Sequence, residues 1–341
     1  MGQSYESDIM KTLIIAEAGV NHNSNINLAF DLVDAAIECG ADVVKFQAAL
    51  PSEVVTKTGK MADYQIKNLG SNDSQLEMTK RMHLKLENFK EISKYTQSKG
   101  IQFACTSFGN AATDTLSKLN MPFWKIPSGE ITNLPYLRKI ASFQQPVIIS
   151  TGMSCLGEIE SAIKILEDEG ILKSQISVLH CTTDYPASFE DVNLRAMISI
   201  RSAFNINVGY SDHTIGIEVP IAAVALGAKI IEKHLTLDKN MIGPDHKASI
   251  EPYEFSAMVK SIRNIENALG NGVKKPTNSE LKNIPIVRRS IVAAKFIKKG
   301  TVFNESNLTV KRPFKGKSPM EWDNLIGQMA NQDFEADDFI E

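Results

Sequence analysis

The chain has 341 residues, of which 43% are hydrophobic, and a formal net charge of −3. This length and apolar content predict a soluble globular protein with one large domain and a small one, or with two domains. The near-neutral charge gives no reason to expect nucleic acid or an anionic membrane as a partner. No apolar run approaches 18 residues, so no membrane span is expected.

The four cysteines form no CxxC pair, and their spacing matches no common zinc pattern. The start of the chain lacks the basic residues and long apolar core of a signal peptide. We therefore expect a cytoplasmic enzyme with free thiols.

Short apolar β-type runs alternate with amphipathic helical patterns over most of the chain. The clearest helical patterns are 26–40, 86–100 and 158–170, each of which ends in glycine. The predicted strands are 13–19, 43–48, 101–107, 123–129, 147–152, 177–182, 207–212 and 229–236. Eight strand–helix units over about 250 residues predict an α/β fold of the (β/α)8 TIM-barrel type. An open doubly wound sheet is the alternative, but no GxGxxG motif follows the first strand.

The domain organisation follows from a change of pattern after about residue 270. Residues 1–272 are predicted to form a catalytic TIM barrel, in which the polar segment 50–80 is an active-site loop. The polar stretch 273–283 is predicted to be a linker. Residues 284–341 carry short apolar runs separated by turns, with a hairpin corner at IKKG (297–300), and predict a small β-rich domain. A domain of this size buries a modest core, so we expect it to dock on a barrel, its own or a partner's.

Polar side chains lie at the end of almost every predicted strand, where barrel enzymes build their active sites. Each taken alone has a structural explanation, such as a hydrogen-bonded histidine or a buried ion pair. Together they indicate an active site, because a charge inside a barrel is costly unless it is paired or used. The strand-end residues include Glu17, Lys45, Gln47, Thr106, Lys125, Ser211, Glu232 and His234.

Two histidines lie at the ends of strands 7 and 8, which are neighbours around a barrel. His213 and His234 can therefore bind one divalent ion and leave positions open for substrate. The alternative is that either ring only hydrogen-bonds the backbone. Two imidazoles with oxygen ligands suit Mn, Zn, Co or Fe, and the sequence does not choose among them.

Two lysines and several hydroxyl groups are predicted to line the same mouth. Lys45 and Lys125, with Thr106, Ser128 and Ser211, combine two cations with hydrogen-bonding groups. That combination suits a ligand that carries a phosphate and a carboxylate.

At these residues the chain resembles the sialic acid synthase family, which includes N-acetylneuraminate synthase and its legionaminate and pseudaminate relatives. The resemblance extends over nearly the whole chain, and the joint set of motifs is highly specific. The matching stretches are IIAEAGVNHN (14–23), GADVVKFQ (40–47), SQLEMTK (74–80), KIPSGEITNLPYL (125–137), STGM (150–153), LHCTTDYP (179–186), GYSDHT (209–214), EKHLTLDKNMIGPDHKASIEP (232–252) and VKRP (310–313).

The resemblance implies a barrel followed by an antifreeze-like (SAF, β-clip) domain at 284–341. It implies a domain-swapped homodimer in which that domain covers the partner's barrel mouth. It further implies condensation of phosphoenolpyruvate with an N-acetylated mannose-type sugar, water addition, and C–O cleavage that releases phosphate. A divalent metal, commonly Mn with Mg or Co also possible, would be held by the residues that match His213 and His234.

The resemblance also assigns roles to individual residues. The catalytic set that we derive from it is Glu17, Lys45, Lys125, His213 and His234. The groups that match the phosphoenolpyruvate contacts are Lys45, Thr106, Lys125, Ser128 and Ser211. The groups that match the sugar contacts are Glu17, Gln47, Tyr185, Asp245 and, from the other subunit, Arg312. Three more residues in the matching stretches, Glu130, Thr151 and Thr183, are predicted to bind substrate.

The function predicted from these residues is that of an N-acetylneuraminate synthase that uses N-acetylmannosamine. An N,N'-diacetyllegionaminate synthase that uses 2,4-diacetamido-2,4,6-trideoxymannose is the alternative within the family. Outside the family, the same residues are compatible with a Schiff-base aldolase that uses Lys45 or Lys125, or with a non-catalytic sugar-binding module. The chain departs from the usual family motifs at CTSF (105–108), NHNS (21–24) and PFKGKSP (313–319).

Overall fold

The structure, a computed structural model, describes residues 11–71 and 73–341. The chain divides into two compact units, the first ending at Gly270 and the second running from Asn271 to Glu341. Each unit has a hydrophobic core of its own. In the part of the chain that the structure describes, no helix is long and apolar enough to cross a membrane. All four cysteines are free thiols.

The first unit is built on one parallel eight-stranded sheet. Its strands are β1 (Leu13–Gly19), β2 (Val43–Ala49), β3 (Gln102–Phe108), β4 (Trp124–Ile126), β5 (Val147–Ser150), β6 (Ile176–Cys181), β7 (Asn207–Asp212) and β8 (Ile230–His234). The strand order is β3-β2-β1-β8-β7-β6-β5-β4, so the first and last strands pair with each other. No ladder joins the described residues of β3 and β4, and the cylinder is therefore nearly closed. The TIM-barrel prediction is confirmed.

Helices lie between successive strands of this unit and after the last one. They are α1 (Ile26–Glu38), α2 (Pro51–Val54), α3 (Asp63–Leu69), α4 (Gln75–Met82), α5 (Asn88–Lys99), α6 (Asn110–Leu116), α7 (Leu134–Ala141), α8 (Leu156–Asp168), α9 (Arg195–Phe204), α10 (Glu218–Ala225) and α11 (Pro252–Leu269). The main core lies between the outward faces of the strands and the helices α1 and α5 to α11. Helix α5 ends at glycine as predicted, because Gly100 adopts the left-handed conformation with φ of 80°.

The inside of the barrel consists of two layers of different chemistry. Because side chains alternate along a strand, residues two apart face the same side. The lower layer is a separate apolar cluster formed by Ile15, Val43, Ala104, Phe123, Ile148, Leu179 and Ile230. Two residues further along the same strands stand Glu17, Lys45, Thr106, Lys125, Ser150, Cys181 and Glu232. The side chains inside the barrel thus change from apolar to polar over one two-residue repeat of the strands.

The apolar layer has no room for an additional carbon at β7. A Cβ placed on Gly209 would lie 2.6 Å from Leu179 Cδ2 and 2.8 Å from Ile230 Cβ. We therefore expect Gly209→Ala to lower the free energy of unfolding by about 1–3 kcal/mol, as overpacked cores do. Urea unfolding measures this change. Gly129→Ala, where the added carbon meets open space, is the control, and equal unfolding midpoints would contradict the prediction.

The segment 50–80, predicted to be an active-site loop, contributes residues to the cavity lining, but it contains the helices α2, α3 and α4. Ser74 caps α4 by accepting a hydrogen bond from the Glu77 backbone N–H at 3.2 Å. The Asn68 side chain donates to the Pro244 carbonyl at 2.7 Å and thereby ties α3 to the segment after β8. Met78 and Met82 of α4 pack in a small apolar cluster with Val20. Caps and this apolar face explain the helical structure.

The second unit contains short helices and one two-stranded antiparallel sheet. Its elements are α12 (Asn278–Leu281), α13 (Ile284–Val287), β9 (Ser290–Ala293), β10 (Leu308–Lys311) and α14 (Trp322–Leu325). The stretch 273–283, predicted to be a linker, therefore includes the single-turn helix α12. Thr277 caps that helix by accepting from the Glu280 backbone N–H.

The hairpin predicted at IKKG is wrong, although a turn is present. The Thr301 N–H donates to the Lys298 carbonyl at 3.0 Å. The flanking residues do not pair with each other, however, because Ile297 bridges to Phe334 and Val302 bridges to Met329. The turn therefore joins two bridges to later parts of the chain. Such non-local pairing is not visible in a local pattern of apolar residues.

Candidate active site

A cavity of about 360 Å³ lies at the carboxyl ends of the barrel strands. Its lining combines strand-end residues with residues of the helical segment 50–80. The predicted site residues among its lining are Glu17, Lys45, Gln47, Thr106, Lys125, Ser128, Thr183, Tyr185, Ser211, His213, His234 and Asp245. The fold therefore brings most of the predicted site into one place.

Four buried charges form the floor of the cavity. Lys45 Nζ lies 2.6 Å from Glu17 Oε2 and 3.6 Å from Glu232 Oε2. Lys125 Nζ lies 3.5 Å from the other oxygen of Glu232. Each of these four side chains is almost completely buried. The two lysines and two carboxylates balance each other, so the floor can hold its charges without water.

Hydroxyl and amide groups hydrogen-bond these charges, although Glu17 Oε2 and Glu232 Oε2 have ion pairs but no hydrogen-bond partner among the described residues. Lys45 donates to Thr106 Oγ1 at 3.1 Å, and Lys125 donates to Ser150 Oγ at 2.7 Å. Ser211 Oγ donates to Glu232 Oε1 at 3.1 Å. The Gln47 side chain donates to Glu17 Oε1 at 2.7 Å.

The two carboxyl groups of the floor differ in acidity. Burial raises the pKa of Glu17, and the neighbouring Glu232 carboxylate adds to that increase although Lys45 opposes it. Burial acts on Glu232 as well, but Lys125 and Lys45 together outweigh it and hold the pKa of Glu232 below its ordinary value. Environments that separate the pKa values of paired groups distinguish a proton carrier from a permanent charge. Glu17 fits the first role and Glu232 the second.

The two lysines also differ. Burial alone would lower the pKa of Lys45, but the carboxylates of Glu17 and Glu232 outweigh it and raise that pKa. Burial lowers the pKa of Lys125, and the Glu232 carboxylate opposes this effect without outweighing it. Among the described residues, Glu232 is the one carboxylate that forms an ion pair with Lys125, and it also pairs with Lys45. Lys45 is thus a fixed cation, whereas a bound anion would favour the charged form of Lys125.

The two imidazoles stand next to each other above the floor. The ring centroids of His213 and His234 are 5.5 Å apart, and both side chains are about 95% buried or more. Burial lowers the pKa of both rings, and for His234 the neighbouring His213 adds to the effect. Both are therefore neutral near pH 7, which is the form that binds metals.

The donor atoms of these rings fit a divalent metal. The Nδ1–H of His213 donates to the Thr182 carbonyl, which leaves the lone pair of Nε2 free to act as a ligand. Nδ1 of His234 is buried and has no hydrogen-bond partner among the described residues. No group of three or more His, Cys, Asp or Glu residues in 11–71 and 73–341 could hold a metal. The protein would thus supply two ligands and leave the others to substrate or water.

An aromatic side chain lies against the imidazole pair. The Tyr185 ring is 4.1 Å from the His213 ring and 5.7 Å from the His234 ring, measured between centroids. Tyr64 of α3 packs on Tyr185 with its ring centroid at 5.0 Å. Asp245 lines the same wall, where burial and then the Glu17 charge raise the pKa of its carboxyl to about 7.

A small polar wall faces the lysines. The Gly152 backbone N–H donates to Ser128 Oγ at 2.9 Å, and Cys181 Sγ lies 3.3 Å from the same hydroxyl. Thr183 Oγ1 is buried without a hydrogen-bond partner in the described part of the chain. A side chain at Gly152 would collide with Thr183 and Ser128, so glycine keeps this wall compact.

Three predicted substrate-binding residues are Thr151 and Glu130 of the first unit and Arg312 of the second unit. Thr151 is buried and donates from Oγ1 to the Leu179 carbonyl, and Glu130 accepts from the Asn133 side chain; neither is among the lining residues of the cavity. Their hydrogen bonds support the loops after β5 and β4, and their role in substrate binding stays a prediction. Arg312 follows β10 in the second unit and is exposed. Its role in sugar binding stays a prediction.

Among the site residues that the predicted set lacked are Glu232 and Tyr64. Glu232 is the carboxylate that both lysines share, and its position two residues before His234 on one strand was the signal for it. Tyr64 had no such signal, because its position depends on how the inserted helices fold.

The site combines a polar floor of lysines and carboxylates with two neutral imidazoles above it. At the mouth of a TIM barrel, this combination is typical of an enzyme that binds an anionic substrate. Comparison with known families agrees with this class. The NeuB family model matches residues 32–274, and the SAF domain model matches residues 288–341. The chain belongs to the NeuB family and is a phosphoenolpyruvate-condensing nonulosonic acid synthase.

Individual relatives give the same result. The chain is 51% identical to the N,N'-diacetyllegionaminic acid synthase of Campylobacter jejuni over 97% of this chain and 99% of the relative. It is 37% identical to the human N-acetylneuraminate-9-phosphate synthase over 96% and 90% of the two chains. Among solved structures it resembles the N-acetylneuraminic acid (sialic acid) synthetase of Leptospira borgpetersenii, with 33% identity, a TM-score of 0.70, and 81% and 91% of the chains covered.

These findings confirm the family resemblance, the fold and the enzyme prediction. They exclude the Schiff-base aldolase and the non-catalytic sugar-binding module as interpretations of the whole chain, because a phosphoenolpyruvate-condensing family accounts for both units. The identity to a legionaminic acid synthase is higher than the identity to a neuraminate-9-phosphate synthase. The comparisons therefore agree better with the alternative prediction, a legionaminate synthase, than with the N-acetylneuraminate synthase that was predicted first.

Proposed function

We propose that the protein is an N,N'-diacetyllegionaminate synthase, which condenses phosphoenolpyruvate with 2,4-diacetamido-2,4,6-trideoxymannose. The observation that carries this proposal is the 51% identity to a protein of that name over nearly the full length of both chains. Synthesis of N-acetylneuraminate from N-acetylmannosamine is the competing assignment. Both reactions use the same barrel chemistry and differ only in the sugar.

The apolar side of the cavity supports the deoxygenated sugar. The lining of the cavity includes the apolar side chains Val20, Val54, Met78 and Met82. A sugar with two acetamido methyl groups and a methyl group at carbon 6 presents more apolar surface than N-acetylmannosamine. Burial of that surface is favourable, whereas a hydroxyl group against methionine and valine loses its hydration without gaining a partner.

The charged floor is proposed to hold phosphoenolpyruvate. Lys45 and Lys125 place two ammonium groups within one polar layer, and Thr106, Ser128 and Ser211 add hydroxyl groups around them. Binding of a polyanion there satisfies the lysines and favours the charged form of Lys125. Pre-oriented cations also stabilise the charge that develops on the departing phosphate.

His213 and His234 are proposed to hold the divalent ion, Mn or alternatively Mg or Co. When bound, such an ion supplies Lewis-acid polarisation of the sugar aldehyde. The protein's own contribution is to keep both imidazoles neutral by burial and to orient His213 through its hydrogen bond to Thr182.

Glu17 is the proposed proton carrier. In the overall reaction, C3 of phosphoenolpyruvate bonds to the aldehyde carbon, water adds at C2, and the C2–O bond to phosphate breaks. The adding water becomes the C2 carbonyl oxygen and loses two protons. We assign the first to the Glu17 carboxylate, which passes a proton to the alkoxide formed from the aldehyde oxygen, and the second leaves on the phosphate. Its raised pKa suits proton exchange nearer neutrality than an ordinary glutamate allows. Gln47 keeps one carboxyl oxygen oriented.

The protein is proposed to act in the cytoplasm as a domain-swapped homodimer. Each unit taken by itself exposes large apolar side chains, Met153 and Ile242 near the barrel mouth and Met320 in the second unit. Such residues suit a surface that a second copy covers. Four free thiols suit a reducing compartment.

Arg312 is the proposed contribution of the partner's second unit to sugar binding. We expect Arg312→Ala to raise the KM for the sugar about tenfold or more, with the KM for phosphoenolpyruvate and the dimer unchanged, because a guanidinium bonds an acetamido carbonyl only when the sugar is present. Steady-state kinetics and sedimentation measure these quantities. Lys315→Ala, a nearby exposed cation, is the control. An unchanged sugar KM would show that Arg312 takes no part.

The assignment of the sugar is tested by phosphate release with the two sugars side by side. Phosphoenolpyruvate and Mn²⁺ are kept saturating, and each sugar is titrated with and without a chelator. We expect kcat/KM to be about tenfold or more higher for the diacetamido sugar, which is the discrimination that a few buried contacts give. Equal values, or a preference for N-acetylmannosamine, would contradict the proposal and favour the neuraminate synthase.

A further inference from the structure

A buried ion pair on the outer side of the sheet has no role in the site described above. Lys233 Nζ lies 2.6 Å from Asp212 Oδ2, and both side chains are completely buried, with 0% exposed. These residues pair directly in the ladder between β7 and β8. Because neighbouring strand residues face opposite sides, the two side chains point away from the cavity.

The ion pair involves both residues that flank His213 in the sequence. Asp212 precedes that histidine, and Asp212 Oδ1 accepts hydrogen bonds from the backbone N–H of Thr214 at 3.1 Å and from its hydroxyl at 2.9 Å. Lys233 also donates to the Thr214 carbonyl. Both chain neighbours of His213 are therefore attached to one ammonium group on the adjacent strand.

The same lysine is fixed between two residues of the site. Glu232, on one side of Lys233, is the shared carboxylate of the floor, and His234, on the other, is the second imidazole. The ion pair between positions 212 and 233 therefore joins the two strand ends that carry the imidazoles. The Thr182 carbonyl then fixes the rotation of the His213 ring.

Stability alone does not explain the pair. Removal of two charges from water costs several kcal/mol per ion, and well-packed apolar residues in the same space are often as stable or more so. No other described ion pair has both side chains at 0% exposure. The desolvation cost of this pair is explained if the pair serves to position the residues beside it, His213 and His234.

We infer that Asp212 and Lys233 are positioning residues for the imidazole pair and thereby set the affinity of the site for its divalent ion. This inference rests on the proposed metal site. Neither residue touches substrate or metal, and both act through the backbone of the residues beside them.

The test is a Mn²⁺ titration of the purified full chain, monitored by the electron paramagnetic resonance signal of free Mn²⁺. We expect Lys233→Met to weaken Mn²⁺ binding about tenfold or more, the usual effect of losing support behind a ligand. Because Lys233→Met leaves Asp212 unpaired and could prevent folding, Asp212→Asn/Lys233→Met, which removes both charges, is measured too. We expect it to fold, as judged by circular dichroism, and to show the same loss of affinity.

The control is Arg263→Met, which breaks the ion pair with Asp42 (2.9 Å) at the opposite end of the barrel. It should lower the unfolding temperature and leave the Mn²⁺ affinity unchanged. Wild-type affinity in the folded double variant would overturn the positioning role while leaving the metal site intact. Failure of the wild-type chain to bind Mn²⁺ at all would overturn the metal assignment, and the inference with it.

Discussion

His213→Ala is expected to reduce kcat/KM by about 10³-fold or more while the protein stays folded. The imidazole supplies one of the two proposed protein ligands, and loss of metal-assisted polarisation removes several kcal/mol of transition-state stabilisation. The ring also lies on Tyr185, so some packing is lost, but the ion pair behind it remains. Phosphate release at saturating Mn²⁺, together with a Mn²⁺ titration, measures both effects.

His180→Ala is the matched control for this variant. His180 lies on β6, one strand away, and its Nε2 donates to the Val192 carbonyl at 2.8 Å rather than lining the cavity. It should lose stability and keep metal-dependent turnover. A His213→Ala protein with full activity that a chelator still abolishes would show that the metal binds elsewhere.

Glu17→Gln is expected to lower kcat by about 10²–10⁴-fold, the range for loss of a positioned general acid or base. The KM for phosphoenolpyruvate should change much less, because both lysines keep the carboxylate of Glu232 nearby. The amide has the size of the carboxyl group but cannot accept and release a proton at neutral pH. Steady-state kinetics at saturating Mn²⁺ separates the two parameters.

Glu266→Gln is the control for Glu17, since Glu266 is also a buried glutamate. It accepts a hydrogen bond from the Thr12 backbone N–H and pairs with Arg263, at the other end of the barrel. It should cost stability without changing kcat. If Glu17→Gln instead raised the KM for the sugar and left kcat alone, Glu17 would position the sugar rather than transfer a proton.

The barrel was predictable because its signals are local. Each strand is a short apolar run, and each prediction overlaps the observed strand. The change from the apolar to the polar layer is also visible, since Ile15 and Glu17 or Ile230 and Glu232 are separated by one strand repeat. The helices α2 to α4 were missed because segment 50–80 is polar. Its order comes from caps and from the packing of Met78 and Met82 of α4 against Val20.

The site could be predicted as far as strand ends determine it. Lys45, Lys125 and the two imidazoles lie in the cavity because a closed parallel barrel brings every strand end to one rim. The pairing of charges could not be predicted, since it depends on which carboxylate lies between the lysines. The hydroxyl of Thr151, which directly follows a strand, donates to the Leu179 carbonyl, and such a bond is not visible in the sequence.

The most direct test of the proposed metal and phosphoenolpyruvate sites is a crystal structure of the enzyme with Mn²⁺ and phosphoenolpyruvate, in which anomalous scattering at the manganese edge locates the ion. We expect one anomalous peak within bonding distance of nitrogen atoms of both His213 and His234, and phosphoenolpyruvate in contact with Lys45 and Lys125. A peak bound to neither imidazole, or phosphoenolpyruvate bound away from the two lysines, would contradict the assignment.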